Sequence, residues 1–184
     1  MDEVGRGCLA GPVVAAAVIL PLGFRHPLLN DSKLMNAKAR EKLYEIIRKK
    51  AVSFAIAEVD NVTIDEINIL QASFLAMHRA LDKLVSKPEH ILVDGNRFLP
   101  YPFIQHTCII KGDSKFKNIA AASVLAKVYR DRLMTSLAKE NPGYGWERNV
   151  GYPTAEHRAA ISEQGTTQWH RMSFRLLKEE VKEE

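Results

Sequence analysis

An unbroken apolar run near the start of the chain limits its possible folds more than any other feature. The segment 13–20 is rich in valine and alanine, carries no charge, and is followed by Pro21. Such a run is too short for a membrane-spanning helix, which needs roughly 20 residues, and it suits a strand that is buried on both faces. We therefore expect this segment to form a strand in the middle of a sheet, with helices packed on both sides.

The remaining chain alternates between strand-like and helix-like patterns. Apolar residues occur at every second position in 52–56, and at spacings of three and four in 63–84. In chain order, the patterns predict a strand at 13–20, a helix that Asn36 caps and that runs to about 50, a strand at 52–56, a helix at 63–84, strands at 90–94 and 103–110, a helix at 118–138, and short helices after 154 and from about 172. This order favours a mixed α/β sheet covered by helices, followed by a helical C-terminal part.

The length of 184 residues fits one domain with one buried core. We expect that domain to span 1–184, with the sheet and its helices in 1–140 and the helical part in 141–184. Apolar residues make up 46% of the chain and charged residues 26%, which excludes a largely disordered protein. Because no segment is long enough to span a membrane and no basic leader precedes the apolar run, we expect a cytoplasmic protein without a membrane partner.

The charge and the distribution of cysteine and histidine narrow the chemistry further. A net charge of +4 suits a phosphate-rich partner such as nucleic acid, although many unrelated proteins are equally basic. Cys8 and Cys108 are far apart and belong to no CxxC pair, so neither a disulfide framework nor a zinc knuckle is expected. The 6 histidines form no HExxH motif and no triad-like group, which gives no support to zinc hydrolysis or to a serine or cysteine nucleophile.

Four acidic residues stand where a carboxylate is costly without a partner. Asp2 and Glu3 precede a Gly-Arg-Gly turn, Asp94 ends one predicted strand, and Asp113 follows the next. Carboxylates at strand ends can converge on one edge of an α/β sheet, where they repel each other unless cations neutralise them. Oxygen ligands suit Mg²⁺ and Mn²⁺, and two such ions can activate water and stabilise the leaving oxygen of a phosphodiester.

Each acid also has an ordinary interpretation when it is taken alone. Asp2 and Glu3 fit a solvated terminus, Asp94 fits the first residue of an Asp-Gly turn, and Asp113 fits a turn or a helix cap. Only the combination of these acids with the motifs around them favours a catalytic site.

Seven blocks of sequence surround these acids and extend over nearly the whole chain. They are DEVGRGCLAGPVV at 2–14, DSKL at 31–34, VDGN at 93–96, KGDS at 111–114, IAAASVLAKVYRD at 119–131, GYPT at 151–154 and HRMSF at 170–174. These blocks closely resemble, in the same order, those of the bacterial type 2 ribonucleases H, the ribonuclease HII family. A Gly-Arg-Gly turn alone is a weak signal, but seven ordered blocks are not expected by accident.

The resemblance implies a fold and an activity. The fold would be a ribonuclease H-like mixed five-stranded sheet flanked by helices. Asp2, Glu3, Asp94 and Asp113 would be catalytic acids that bind two Mg²⁺ or Mn²⁺ ions. The enzyme would hydrolyse the RNA strand of RNA/DNA hybrids and would incise duplex DNA on the 5' side of a single ribonucleotide, leaving a 5'-phosphate and a 3'-hydroxyl.

The resemblance also assigns residues to the binding of this substrate. The Gly5-Arg6-Gly7 turn is expected to recognise the ribose 2'-hydroxyl, largely through backbone groups, since glycine lets a backbone approach closely. Tyr152 is expected to stack on the sugar beside the ribonucleotide. From their charge, we expect Lys33 and Lys127 to contact phosphates, with Arg130 on the helix face of Lys127; a solvated basic face is the alternative.

The chain departs from the family pattern near its ends. Asp2 directly follows Met1, whereas family members have several residues before the Asp-Glu pair, and Val4 replaces the usual alanine. We expect a terminal acid to fray, which would weaken activity. The segment 178–184 lacks the glutamine-and-aromatic pattern of a sliding-clamp peptide, so we expect a monomer without a clamp partner.

Two other functions are compatible with the same acids. Another nuclease on the same sheet, such as a junction resolvase or a transposase-like protein, would cut substrates made only of DNA. A noncatalytic hybrid-binding module would bind without cleaving. The related ribonuclease HIII is disfavoured because its additional N-terminal substrate-binding domain has no room in 184 residues.

Overall fold

The computed structural model describes residues 1–29 and 35–177, which form a mixed α/β fold. The strands are β1 (Asp2–Val4), β2 (Val13–Ile19), β3 (Ser53–Val59), β4 (His90–Asp94) and β5 (Gln105–Ile109). The helices are α1 (Ala37–Lys50), α2 (Asn61–Asp82), α3 (Lys117–Glu140), α4 (Trp146–Asn149) and α5 (Ala155–Gln164). Short 3₁₀ turns lie at Pro27–Leu29 and Gly112–Ser114. Among the described helices, none combines the length and the hydropathy that crossing a membrane would need.

The strands form two sheets rather than the single five-stranded sheet that was expected. β1, β2 and β3 form an antiparallel sheet with β2 in the middle, and β4 pairs with β5 in parallel. Met1 connects the two sheets: its α-amino group donates to the Leu92 carbonyl at 2.7 Å, and the Asp94 amide donates to the Met1 carbonyl at 3.1 Å. The link between β1 and β4 rests on this one residue, which is too short a pairing to merge the sheets into a continuous ladder.

The central strand β2 is buried on both faces, as its apolar run predicts. Val13, Ala15 and Ala17 point into a core that is shared with α2 and β4. Val14 and Ala16 point into a second core, built with α1 and α3. Because alternate residues of a strand face opposite sides, a run without any polar residue is required here.

The two helices that cover these cores begin at side-chain caps. Asn36 caps α1 as expected, since its side chain accepts from the Ala39 amide at 2.9 Å. The cap of α2 is Asp60, which accepts from the Thr63 amide at 2.8 Å, so the helix begins earlier than predicted from Thr63. Asn68 interrupts α2 with non-helical backbone angles, φ 66° and ψ 163°. Periodicity alone does not reveal this break, because the apolar spacing continues across it.

The C-terminal part packs on the end of α3 through a third apolar cluster. Leu9, Met134 and Trp146 belong to this cluster, together with residues of α5. The predicted helix from about 172 is wrong for the described residues, because 172–177 form turns and bends. Asp65 accounts for the difference: its carboxylate accepts from the amides of Met172 at 2.8 Å and Ser173 at 3.0 Å and holds them in a turn.

Candidate active site

The pairing of Met1 with β4 brings three of the four predicted acids to one place. Asp2 and Glu3 follow Met1 in β1, and Asp94 is the last residue of β4. Asp2 is only 8% exposed, and Met1, the residue before it, is 4% exposed. The predicted fraying of this end is therefore wrong, because two backbone hydrogen bonds and burial fix Met1 against β4.

The three carboxylates repel one another in a partly dry setting. The pKa of Asp2 is raised from 3.8 to about 7, mainly by burial and also by the negative charges of Glu3 and Asp94, while a hydrogen bond with Ser123 opposes the shift. Burial also raises the pKa of Glu3, against the attraction of the Arg6 guanidinium 3.2 Å away. A carboxylate that is buried beside other carboxylates is stabilised in its charged form by a nearby cation.

Each of the four predicted acids has one oxygen held by a nearby donor. The hydrogen bonds are Glu3 N to Asp2 Oδ1 at 2.8 Å, Arg6 Nη1 to Glu3 Oε1 at 3.2 Å, Gly112 N to Asp94 Oδ1 at 2.6 Å, and Ser114 N to Asp113 Oδ1 at 2.9 Å. Such bonds orient a carboxylate, as outer-shell partners do in metal sites.

Gly112 brings the fourth acid, Asp113, towards the other three. A β-carbon at Gly112 would lie 3.2 Å from Asp94 Oδ1 and 2.6 Å from the Ile119 side chain, so only glycine lets this turn approach Asp94. The Asp113 carboxylate itself turns back to the Ser114 amide. Sequence reasoning did not single out Gly112, although the Gly-Asp pair was visible.

The donor set fits hard divalent cations by its chemistry. It consists of carboxylate oxygens, which suit Mg²⁺ and Mn²⁺, and burial together with mutual repulsion leaves these carboxylates short of positive charge. Within 1–29 and 35–177, no three acidic, histidine or cysteine side chains stand close enough together to hold an ion. Asp2, Glu3 and Asp94 are within electrostatic range of each other, and Asp113 is one residue from a direct contact of Asp94.

A cavity of about 430 Å³ opens beside these acids. Glu3 and Asp94 line one part of it, and α2 contributes an apolar wall. Arg6 and Arg97 add positive charge at the same cavity. Arg97 was missed from the sequence, because it lies just past the Asp-Gly turn and outside any motif that was singled out.

The predicted 2'-hydroxyl turn lies next to the predicted sugar-stacking residue. Gly5 has φ +94°, and a β-carbon there would come within 2.3 Å of the Arg130 guanidinium nitrogen Nε. At Gly7 a β-carbon would lie 3.9 Å from the Tyr152 ring, so this ring is in van der Waals reach of the turn. The Tyr152 residue is 38% exposed. The structure thus brings together Gly7 and Tyr152, which are far apart in sequence.

The comparison with known proteins settles the family. The family model described as ribonuclease HII matches residues 1–177. The chain belongs to the ribonuclease HII family. The ribonuclease HII of Christiangramia forsetii is 58% identical over 181 residues, covering 98% of this chain and 91% of that protein. This membership makes the chain a ribonuclease H, an endonuclease of RNA/DNA hybrids.

Solved structures support the ribonuclease H-like fold. The ribonuclease H2 of Pyrococcus horikoshii OT3 superposes with a TM-score of 0.75 at 25% identity, covering 95% of this chain and 92% of that one. A structure of Bst-RNase HIII in complex with Mn²⁺ superposes with a TM-score of 0.70 at 22% identity, covering 95% of this chain and 66% of that one. The likeness to the latter concerns the fold alone.

Two buried arginines support the glycine-rich turn of this ribonuclease HII fold, by which we mean residues 5–12. Arg130, which is 0% exposed, donates to the carbonyls of Pro12 at 3.0 Å, Ala10 at 3.1 Å and Val150 at 2.7 Å. The expectation that Arg130 shares a solvated or phosphate-facing surface with Lys127 is wrong, because the loop after β1 covers this part of α3. Helical spacing predicts that Lys127 and Arg130 share a face of the helix, but it does not reveal which segment of the chain covers that face.

Arg171 completes this support from the C-terminal segment. It is also 0% exposed, and it donates to the Gly11 carbonyl at 2.8 and 3.0 Å and to the Arg6 carbonyl at 3.0 Å. Burial lowers the pKa of Arg171 to about 10. The side chain of Arg171 therefore links the C-terminal segment to the glycine-rich turn.

The phosphate contacts expected of Lys33 and Lys127 remain predictions. Lys127 is on α3, and its ammonium group forms a salt bridge with Asp131 at 2.8 Å. Lys33 lies outside the described residues.

Proposed function

We propose that this chain hydrolyses hybrids and incises duplex DNA at single ribonucleotides, with Asp2, Glu3, Asp94 and Asp113 as ligands of two divalent ions. Cleavage falls on the 5' side of the ribonucleotide and leaves a 5'-phosphate and a 3'-hydroxyl. The observation that carries the proposal is the convergence of Asp2, Glu3 and Asp94 beside the Gly5-Arg6-Gly7 turn, in which only glycine fits at position 5.

The acids have separate parts in this proposal. Asp2 is the most buried and gains most from a cation, because its charged form is disfavoured without one. Glu3 and Asp94 line the cavity and face the approach of the substrate. Asp113 would be the fourth ligand, and its Oδ1 accepts from the Ser114 amide. Two divalent ions held by these carboxylates would supply an activated water and would stabilise the leaving oxygen.

The substrate is selected by the turn rather than by the acids. Among the described residues, the backbone amides of Arg6 and Gly7 donate no hydrogen bond, whereas the Arg6 carbonyl is already taken by Arg171. Free amides beside a side-chain-free position suit recognition of a 2'-hydroxyl, the group that separates RNA from DNA. Tyr152 beside Gly7 is placed to stack on the neighbouring sugar.

The test uses three duplexes and one matched pair of variants. We expect the wild-type protein with Mg²⁺ or Mn²⁺ to cut an RNA/DNA hybrid and a DNA duplex with one ribonucleotide, and to leave an all-DNA duplex intact. Asp94→Asn should abolish cleavage, whereas Asp82→Asn, at the exposed end of α2, should not change it.

Two results would contradict the proposal. Cleavage of the all-DNA duplex would favour another nuclease on the same fold. Binding of the hybrid without cleavage, unchanged by Asp94→Asn, would favour a noncatalytic module. A cytoplasmic location and a monomeric state stay predictions.

A further inference from the structure

Beneath Tyr152, two histidines and a tryptophan form a buried hydrogen-bonded cluster that the proposed chemistry does not use. Trp146 and His157 are 0% exposed, and His170 is 1% exposed. The Trp146 indole nitrogen lies 3.0 Å from His157 Nε2, and His170 Nε2 lies 3.2 Å from the same atom. On its other side, His157 Nδ1 is 3.0 Å from the Tyr152 carbonyl oxygen.

The donors around this cluster determine where each ring proton sits. The indole N–H can only donate, so His157 Nε2 accepts and His157 carries its proton on Nδ1. That Nδ1–H then donates to the Tyr152 carbonyl. The Thr167 amide donates to His170 Nδ1 at 2.9 Å, so the proton of His170 is on Nε2 and points to His157. With both rings neutral, each ring nitrogen has a partner of the right kind, and the single lone pair of His157 Nε2 is shared between the indole N–H and the His170 Nε2–H.

A second proton on either ring would break this arrangement. On His157 it would set an Nε2–H against the N–H groups of Trp146 and His170, and on His170 it would face the Thr167 amide. Burial accordingly lowers the pKa of His157, and it lowers that of His170 to about 4.

The cluster reaches the tyrosine through a tight turn. The Tyr152 amide donates to the Asn149 carbonyl at 2.9 Å, and the Tyr152 carbonyl accepts from His157 and from the Thr154 amide at 2.8 Å. Gly151, with φ +85°, packs so closely on Ala10 that a β-carbon would lie 2.7 Å from its carbonyl oxygen. The main chain at Tyr152 is thus fixed on both sides, while its ring remains partly exposed beside Gly7.

We propose that His157 and His170 are positioning residues for Tyr152 in the cleavage reaction. His157 fixes the Tyr152 main chain directly, and His170 joins Trp146 in donating to His157 Nε2, which favours the tautomer that can do so. This inference rests on the proposed role of Tyr152 at the sugar beside the ribonucleotide. Neither histidine touches the substrate.

The first experiment compares two substitutions of His157. In His157→Asn the side-chain amide nitrogen occupies nearly the place of Nδ1 and still donates to the Tyr152 carbonyl, whereas His157→Leu removes this donor. With a single-ribonucleotide duplex, we expect His157→Leu to lower kcat/KM about tenfold and His157→Asn to stay within about threefold of wild type. The exposed His90, changed to leucine, is the matched control and should have no effect.

A double-mutant cycle separates positioning from general support of the fold. If His157 acts through Tyr152, His157→Leu should cost little more once Tyr152→Ala is present, because the group that it positions is gone. Additive losses, or equal losses in His157→Asn and His157→Leu, would overturn the inference. If the single variant Tyr152→Ala cleaves as fast as the wild type, the inference is overturned too, while the hydrolase proposal stays intact.

A spectroscopic measurement on the wild-type protein needs neither cleavage nor a folded variant. We expect the ring ¹⁵N shifts at neutral pH to show a proton on Nδ1 of His157 and on Nε2 of His170. A proton on Nε2 of His157 would refute the inference, because His157 could then no longer donate to the Tyr152 carbonyl. Failure of the wild type to cleave any duplex, with these tautomers present, would instead refute the proposed function.

Discussion

The acid edge and the support of the glycine-rich turn both contain buried charged side chains, but only in the second are those charges satisfied by the protein itself. At the acid edge, Asp2 is 8% exposed and has like charges as neighbours, so its pKa rises to about 7. Under the turn, Arg130 and Arg171 are 0% exposed, yet their guanidinium groups donate to several backbone carbonyls. Buried charges that the protein satisfies itself form a scaffold, whereas those left without a countercharge mark where a ligand binds.

The largest effect is expected when a buried arginine under the glycine-rich turn is removed. Arg130→Met leaves the carbonyls of Ala10, Pro12 and Val150 without their donor, so we expect the free energy of unfolding to fall by about 3 to 5 kcal/mol. Urea unfolding measures the change. Arg132→Met, two residues along the same helix, removes an exposed ion pair with Glu41 and should cost at most about 1 kcal/mol. Equal losses in the two variants would erase the contrast.

A smaller effect of opposite sign is expected at the acid edge. The pKa of Asp2 is 3.8 in the unfolded chain and about 7 in the folded protein, so ionisation of the unfolded chain destabilises the fold as pH rises between these values. In metal-free buffer, Asp2→Asn should therefore raise the free energy of unfolding, by on the order of 2 to 4 kcal/mol above pH 7 and by little below pH 4. Urea unfolding across this range checks it. If Asp2→Asn lowers the free energy of unfolding at pH 8, the claim that the buried charge of Asp2 destabilises the metal-free fold is contradicted.

The smallest expected effect uses acid to separate the two regions. The pKa of His170 is 6.5 when unfolded and about 4 when folded, so its contribution to stability is complete above 6.5 and is lost as pH falls towards 4. As pH falls over the same range, protonation of Asp2 has the opposite effect and favours the folded state. His170→Gln should reduce the acid-induced loss by on the order of 2 kcal/mol, measured by unfolding at pH 7 and pH 4.5. An unchanged pH slope would show that His170 is not buried as a neutral ring.

Local patterns predicted those parts of the molecule that depend on neighbours in sequence. The apolar run at β2 and the Asn36 cap of α1 are of this kind, and both are confirmed. Asp94 could be placed at a strand end because the apolar residues before it define β4.

The features that sequence reasoning missed depend on contacts between distant segments. Burial of Arg130 requires the loop at Pro12, and the loss of the helix at Met172 requires the Asp65 carboxylate. The only backbone pairing described between the two sheets is that of Met1 with β4, through two hydrogen bonds. No local periodicity records such partners.

The most direct test of the central claim is a crystal structure of the wild-type protein grown with Mn²⁺, examined by anomalous diffraction. We predict anomalous peaks between the carboxylates of Asp2, Glu3 and Asp94, with Asp113 turned away from the Ser114 amide to join them, and loss of these peaks in Asp94→Asn. Carboxylates that keep their metal-free positions, with no Mn²⁺ between Asp2 and Asp94, would contradict the account.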